Sequence, residues 1–130
     1  MKKLFIALMC MAAVAFTSCS SDPLTSGTKG SNLTAEKVEK MDNKTEKCWH
    51  IAAKGKVNGE KKSGETYVWC TEQEVAYGVM VEYQMWEKHK AESGIEDFEV
   101  AYKEASAKSK DKCRELAEEA EKNNDKDFHF

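Results

Sequence analysis

The stretch Cys48-Trp49-His50-Ile51-Ala52-Ala53-Lys54-Gly55-Lys56-Val57-Asn58-Gly59 decides the fold, together with its return through Thr66-Tyr67-Val68-Trp69-Cys70 into Thr71-Glu72-Gln73-Glu74. Two runs rich in aromatic and β-branched residues flank Asn-Gly, the strongest short signal for a β-hairpin. With Cys48 placed opposite Cys70, Trp49 meets Trp69, His50 meets Val68 and Ile51 meets Tyr67. Side chains alternate between the faces of a strand. This register therefore gathers Trp49, Ile51, Tyr67 and Trp69 on one face, expected to be the core face, and Cys48, His50, Val68 and Cys70 on the other. A strict two-residue turn shifts the register by one residue. Residues 60–65 are expected to absorb that difference as a longer loop or a bulge.

Thr71 and Glu74 form a capping-box pattern that opens a helix. Val75, Val79, Tyr83 and Trp86 recur at helical spacing, with Ala76 and Met80 beside them, and Ser93-Gly94 ends the run. Tyr77, Val81 and Met85 widen its apolar surface, which predicts cover from more than one side. Residues 98–102 alternate as a strand does, although Phe98, Tyr102 and Ala105 also fit helical spacing. A thin helix over 33–45 and a last helix over 107–123 complete the set. The expected class is α+β: a small two- to three-stranded antiparallel or mixed sheet (hairpin 48–70, third strand 98–102) carrying three helices.

Ahead of this lie Lys2, Lys3 and an apolar run over 4–16. The run is shorter than the roughly 20 residues a membrane-spanning helix needs, and it has the form of a secretory signal. It ends in Phe16-Thr17-Ser18-Cys19, which resembles the lipobox of bacterial lipoproteins, with Phe where Leu is commonest. That resemblance implies cleavage between Ser18 and Cys19 and a diacylglycerol on the Cys19 thiol. An ordinary signal peptide cut after Ala15 is the alternative. Ser20 in place of Asp implies the outer membrane, with the side left open. The expected organisation is a signal peptide at 1–18, a lipidated Gly/Ser/Thr-rich tether at 19–32 and one domain at 33–130. The lipobox, the Cys-Trp opening of the first strand and Tyr67-Val68-Trp69 running into Thr71-Glu72 together resemble short lipoproteins of the Bacteroidota type. The resemblance implies compartment and architecture and carries no chemistry.

The chain has a net charge of −3, with 33% charged residues. Lys and Glu are interspersed and no one-signed patch is evident, which argues against a nucleic-acid partner. No nucleophile-elbow motif or phosphate-binding Gly loop is present. No catalytic residue, resident metal or cofactor is therefore expected. Beyond Cys10 and Cys19, three cysteines remain in an oxidising compartment, so one disulfide and one free thiol are expected. Cys48 with Cys113 closes a loop of about 65 residues, for which chain entropy gives near 4 kcal/mol. Cys48 with Cys70 only clips a hairpin and is the alternative. Cys70 also lies near a helix N-terminus, where a thiol can be activated.

Two function classes follow. The first is a non-catalytic binding or accessory module, held at the membrane by its lipid and recognising a protein, a glycan or a small apolar ligand. Its support is an excess of aromatic side chains for so small a core; Trp49, Trp69, Trp86 and Tyr83 are the candidate binding residues. The second is a thiol or metal protein using Cys48, Cys70, Cys113 and His50.

Overall fold

The computed structural model describes residues 22–125 and Phe128; the expected signal segment and Cys19 lie outside them. The elements are α1 (Pro23–Ser26), β1 (Thr28–Lys29), a 3-10 turn (Gly30–Asn32), α2 (Ala35–Glu39), β2 (Glu46–Val57), β3 (Glu60–Thr71), α3 (Glu72–Ser93), β4 (Ile95–Glu104) and α4 (Lys110–Glu121). The strands form one sheet in the order β1-β4-β2-β3, antiparallel at every pair. The class is α+β as expected, with a larger sheet and one more helix.

The hairpin corrects the expected register. Val57 pairs with Glu60, so Asn58 and Gly59 alone make the turn, at φ of 54° and 83°. Two consecutive left-handed residues twist in the sense of the strands they join, which is why Asn-Gly needs no longer loop. Residues 60–65 are therefore strand. Cys48 pairs with Trp69, Trp49 with Val68 and His50 with Tyr67. This one-residue change moves the whole return strand to the opposite face. Val68 and Cys70 join Trp49 and Ile51 on the core side, while Tyr67 and Trp69 share the other face with Cys48 and His50.

The core face meets α3. Val75, Ala76, Val79 and Met80 pack against Trp49, Ala53, Phe98, Val100 and Tyr102. Thr71 and Glu74 exchange both capping bonds, and Gly94 at φ 74° ends the helix. The sheet covers α3 from one side and the segment carrying Gly30, Leu33 and Val38 from another, as expected, while Tyr77 and Met85 remain 59% and 52% exposed. Polar groups at the core margin are satisfied. Trp49 Nε1 donates to Cys70 O at 3.0 Å, and the Tyr102 hydroxyl donates to Glu72 Oε2 at 2.9 Å.

The expected tether enters the fold from Pro23 onward. Pro23 is fully buried, β1 pairs with the Ala101–Tyr102 segment of β4, and a Cβ on Gly30 would stand 2.8 Å from Val79 O. The expected helix over 33–45 is only the five-residue α2, capped by Thr34. The third strand is longer than 98–102 and pairs antiparallel with β2, so Ala105 N donates to Cys48 O at 2.9 Å. That contact delivers the chain into α4 beside Cys48. Among the described residues, no helix is long and apolar enough to cross a membrane.

Candidate binding site

At the hairpin end of the sheet an open groove of about 840 Å³ is lined by Lys29, Ser31, Lys54, Gly55, Lys56, Lys61, Lys62, Ser63, Tyr83, Trp86, Asp97, Phe98 and Glu99. Its size is that of small-ligand sites, which run from roughly 300 to 1,000 Å³. Two features of the backbone shape it. The tight turn sets Lys56 directly opposite Lys61 and Lys54 opposite Ser63. A bulge then interrupts the pairing of β2 with β4 between Lys54 and Lys56, and Asp97 takes a left-handed φ of 53° beside it. Bulges re-aim side chains, and Asp tolerates the left-handed region better than most residues.

One wall is aromatic and fixed. Trp86 Nε1 donates to Ile95 O at 2.9 Å. The Trp86 ring lies 5.7 Å from Tyr83 and 5.5 Å from Phe98, centre to centre, and Phe98 stacks on Phe128 at 6.1 Å. Lys90 Nζ stands 5.4 Å from the Trp86 ring centre, adding a cation at the same wall. The other walls are mainly basic. Lys29 pairs with Glu99 at 3.4 Å, Lys56 with Asp97 at 3.7 Å and Lys62 with Glu60 at 3.3 Å. Lys54 and Lys61 have no acidic side chain within salt-bridge distance among the described residues. The hairpin sets Lys56 opposite Lys61, while β4 sets Glu99 opposite Lys54 and Glu96 opposite Lys56, so lysines and carboxylates are interspersed here as they are along the chain.

The four aromatic residues expected to bind have separate places. Trp86 and Tyr83 line the groove and are half-buried. Trp49 is 6% exposed and belongs to the core, with its ring edge-on to Tyr102 at 5.5 Å. Trp69 is half-buried on the opposite face of the sheet, opposite Cys48. The groove lysines and Asp97 were not singled out from sequence; a strict two-residue turn at Asn58-Gly59 would have aligned Lys56 with Lys61.

The cysteines and His50 do not come together. Cys48 and Cys113 form a disulfide that ties β2 to α4, with Cα atoms 5.6 Å apart. Cys70 is free and lies on the core face, away from both. Its thiol is pushed up to about 11 from 9.0 by burial and by the charges of Glu74 and Glu46, so the helix N-terminus does not activate it. His50 is 8% exposed, stacks on Tyr67 at 4.3 Å and meets Glu65 Oε1 through Nε2 at 2.5 Å. Among the described residues, no three His, Cys, Asp or Glu side chains converge as metal ligands would.

These burials set an alkaline limit. Tyr67 is pushed up to about 12 by burial and then by Glu65, and Tyr102 is raised by burial and by Glu72. The unfolded chain releases these protons near the ordinary values and the folded chain only above them. The stability they confer is complete below about pH 9 and is lost as pH rises toward 12. Urea midpoints should therefore fall between about pH 8 and about pH 11. A midpoint constant across that interval would contradict the burial of these groups.

No family model, curated protein or solved structure matches this chain.

Proposed function

We propose that this chain is a non-catalytic binding module, presented at the outer membrane on a lipid carried by Cys19, and that the groove beside Trp86 is its recognition surface. The observation that carries the reading is an immobilised, half-buried Trp86 lining one ligand-sized concavity together with lysines, of which Lys54 and Lys61 have no carboxylate within salt-bridge distance among the described residues. A ring already held by a hydrogen bond gives up little side-chain entropy on binding. Half-buried aromatics beside charge are what recognition sites use.

Two experiments test the parts separately. Arrays of immobilised glycans and peptides are probed with the wild-type chain, Trp86→Ala and the surface double variant Lys54→Glu/Lys61→Glu. Retention on at least one class of probe is expected, and each variant should weaken it by about tenfold or more, as centrally placed interface residues do. Circular dichroism identifies a variant that fails to fold, and the double variant removes no core contact. Retention unchanged in both variants would sink the groove as the site. For the anchor, Cys19→Ser should leave the precursor uncut or release the protein from the membrane fraction. A processed, membrane-bound Cys19→Ser protein would rule out the lipid.

A further inference from the structure

We infer that the outward face of α3 is a self-complementary surface on which a second copy of this chain docks antiparallel, with the twofold axis at Val81. The groove plays no part in this contact. Glu74, Gly78, Val81, Met85 and Lys88 follow one another at alternating steps of four and three residues, the spacing of a coiled-coil seam, and Tyr77 lies one turn before Val81. The residues of α3 that pack on the sheet, Val75 and Val79 among them, lie on the other side of the helix. Tyr77 and Met85 are the large apolar side chains left exposed among the described residues, and both belong to this seam. Gly78 stands between them, and a Cβ there would meet nothing within 4 Å. Glycine weakens a helix interior relative to alanine. No neighbour within the chain requires it at this position, whereas a second helix backbone approaching from outside does.

The order of residues along the seam fixes both the partner and its direction. Glu74 and Lys88 lie seven residues to either side of Val81, and Tyr77 and Met85 lie four to either side. An isologous antiparallel pair centred on Val81 therefore sets each Glu74 against the partner's Lys88 and each Tyr77 against the partner's Met85. A parallel pair would set like charges together at both ends. Glu74 makes its side-chain capping bonds through Oε1, which leaves Oε2 for an ammonium group. Beside Tyr77 an open hollow of about 560 Å³ is bordered by Ala35 and Val38 of α2. The partner's Met85 arrives there, and an unbranched thioether fills such irregular spaces. Glu82, next to Val81, comes close to its own counterpart, and that repulsion opposes the pairing.

Cysteine cross-linking of the full chain tests contact and direction together. A disulfide needs Cα atoms within about 7 Å of each other. Val81→Cys, on the axis, should therefore link two copies under mild oxidation, above the background that Cys10, Cys19 and Cys70 give in the wild type. Met85→Cys should stay at background, because its counterpart lies about 12 Å away along an antiparallel seam. In the Val81→Cys chain, Tyr77→Glu and Gly78→Gln should each slow linking by about tenfold or more. Lys88→Glu should slow it by a smaller factor, as exposed ion pairs do, and Glu82→Gln should speed it. Tyr77 and Lys88 are exposed and glutamine suits a helix, so circular dichroism should not change in these variants. Background linking at Val81, linking at Met85 equal to that at Val81, or linking at Val81 that Tyr77→Glu and Gly78→Gln both leave intact overturns the antiparallel pair. Binding to phosphatidylglycerol vesicles that Tyr77→Glu abolishes, with no link at Val81, also overturns it and assigns the seam to a membrane surface.

Discussion

Cys48→Ala/Cys113→Ala is expected to lower the unfolding free energy by about 4 kcal/mol, most of what a small domain possesses. The two cysteines lie 65 residues apart in sequence, and the loop they close contains the turn, β3, α3 and β4. Cutting that link restores to the unfolded chain the freedom the loop had lost. The folded chain loses as well. Of the twelve residues in α4, only Cys113 and Ala120 are buried, so little apolar area holds this helix to the sheet. Isolated helices of this length are marginal in water. Hydrogen exchange in the double variant should therefore show α4 unprotected before the β2–β3 ladder opens. Guanidine denaturation checks the magnitude. A cost below about 1 kcal/mol, or an α4 as protected as in the wild type, would mean that side-chain packing holds the helix without the bond.

The same disulfide shows what the sequence could disclose. Cys48 lies at the sheet end where β4 finishes, because β4 runs antiparallel to β2 and Ala105 reaches Cys48. That proximity depends on β4 pairing antiparallel with β2, which element order does not dictate, whereas α3 with its Thr71–Glu74 box was legible because capping and 3.6-residue spacing are local properties. Register was not local in the same way. Aromatic pairing favoured Trp49 opposite Trp69, whereas the turn favoured Trp49 opposite Val68, and the turn prevailed. The hydrophobic pattern did not decide between them because both faces of this sheet are covered, one by α3 and the other through the Cys113 link to α4. Aromatic residues were acceptable on either side. The groove was hidden for a related reason. Lys54 and Lys56 are separated from Lys61 and Lys62 by the turn, and only the correct register sets Lys56 opposite Lys61.

The contribution of 22–32 was missed because its Gly, Ser and Thr content is that of a linker. Gly27 and Gly30 are small for another reason, as added Cβ atoms would approach Pro23 O at 2.7 Å and Val79 O at 2.8 Å. Composition alone does not separate a glycine that is flexible from one that is tightly packed.

Gly64→Ala carries the second large expected effect, and its sign is diagnostic. Exchanging Gly for Ala in a strand usually stabilises by about 0.4–1 kcal/mol, through the unfolded state, when the site has room. Gly64 has none, because a Cβ there would collide with the Phe128 carbonyl oxygen and lie 2.8 Å from Phe128 Cβ. The chain after α4 passes over the edge of β3. Asp125 and Ser63 exchange two hydrogen bonds of 2.9 and 3.1 Å, and the Asn124 amide bonds both backbone groups of Glu65. These contacts cover edge groups that would otherwise be open to pairing with another chain. Phe128 then sets its ring against Phe98 and the small Gly55. A methyl on Gly64 lifts this tail, loses its bonds to the edge and uncovers Phe98. The expected cost is about 2 kcal/mol, within the range for overpacking. In a chain ending at Asn123 the obstacle is gone, and Gly64→Ala should be neutral or stabilising. Urea midpoints of the four proteins measure the coupling as a double-mutant cycle. An equal cost in the full and shortened chains would show that Gly64 is required by the strand itself and not by the tail.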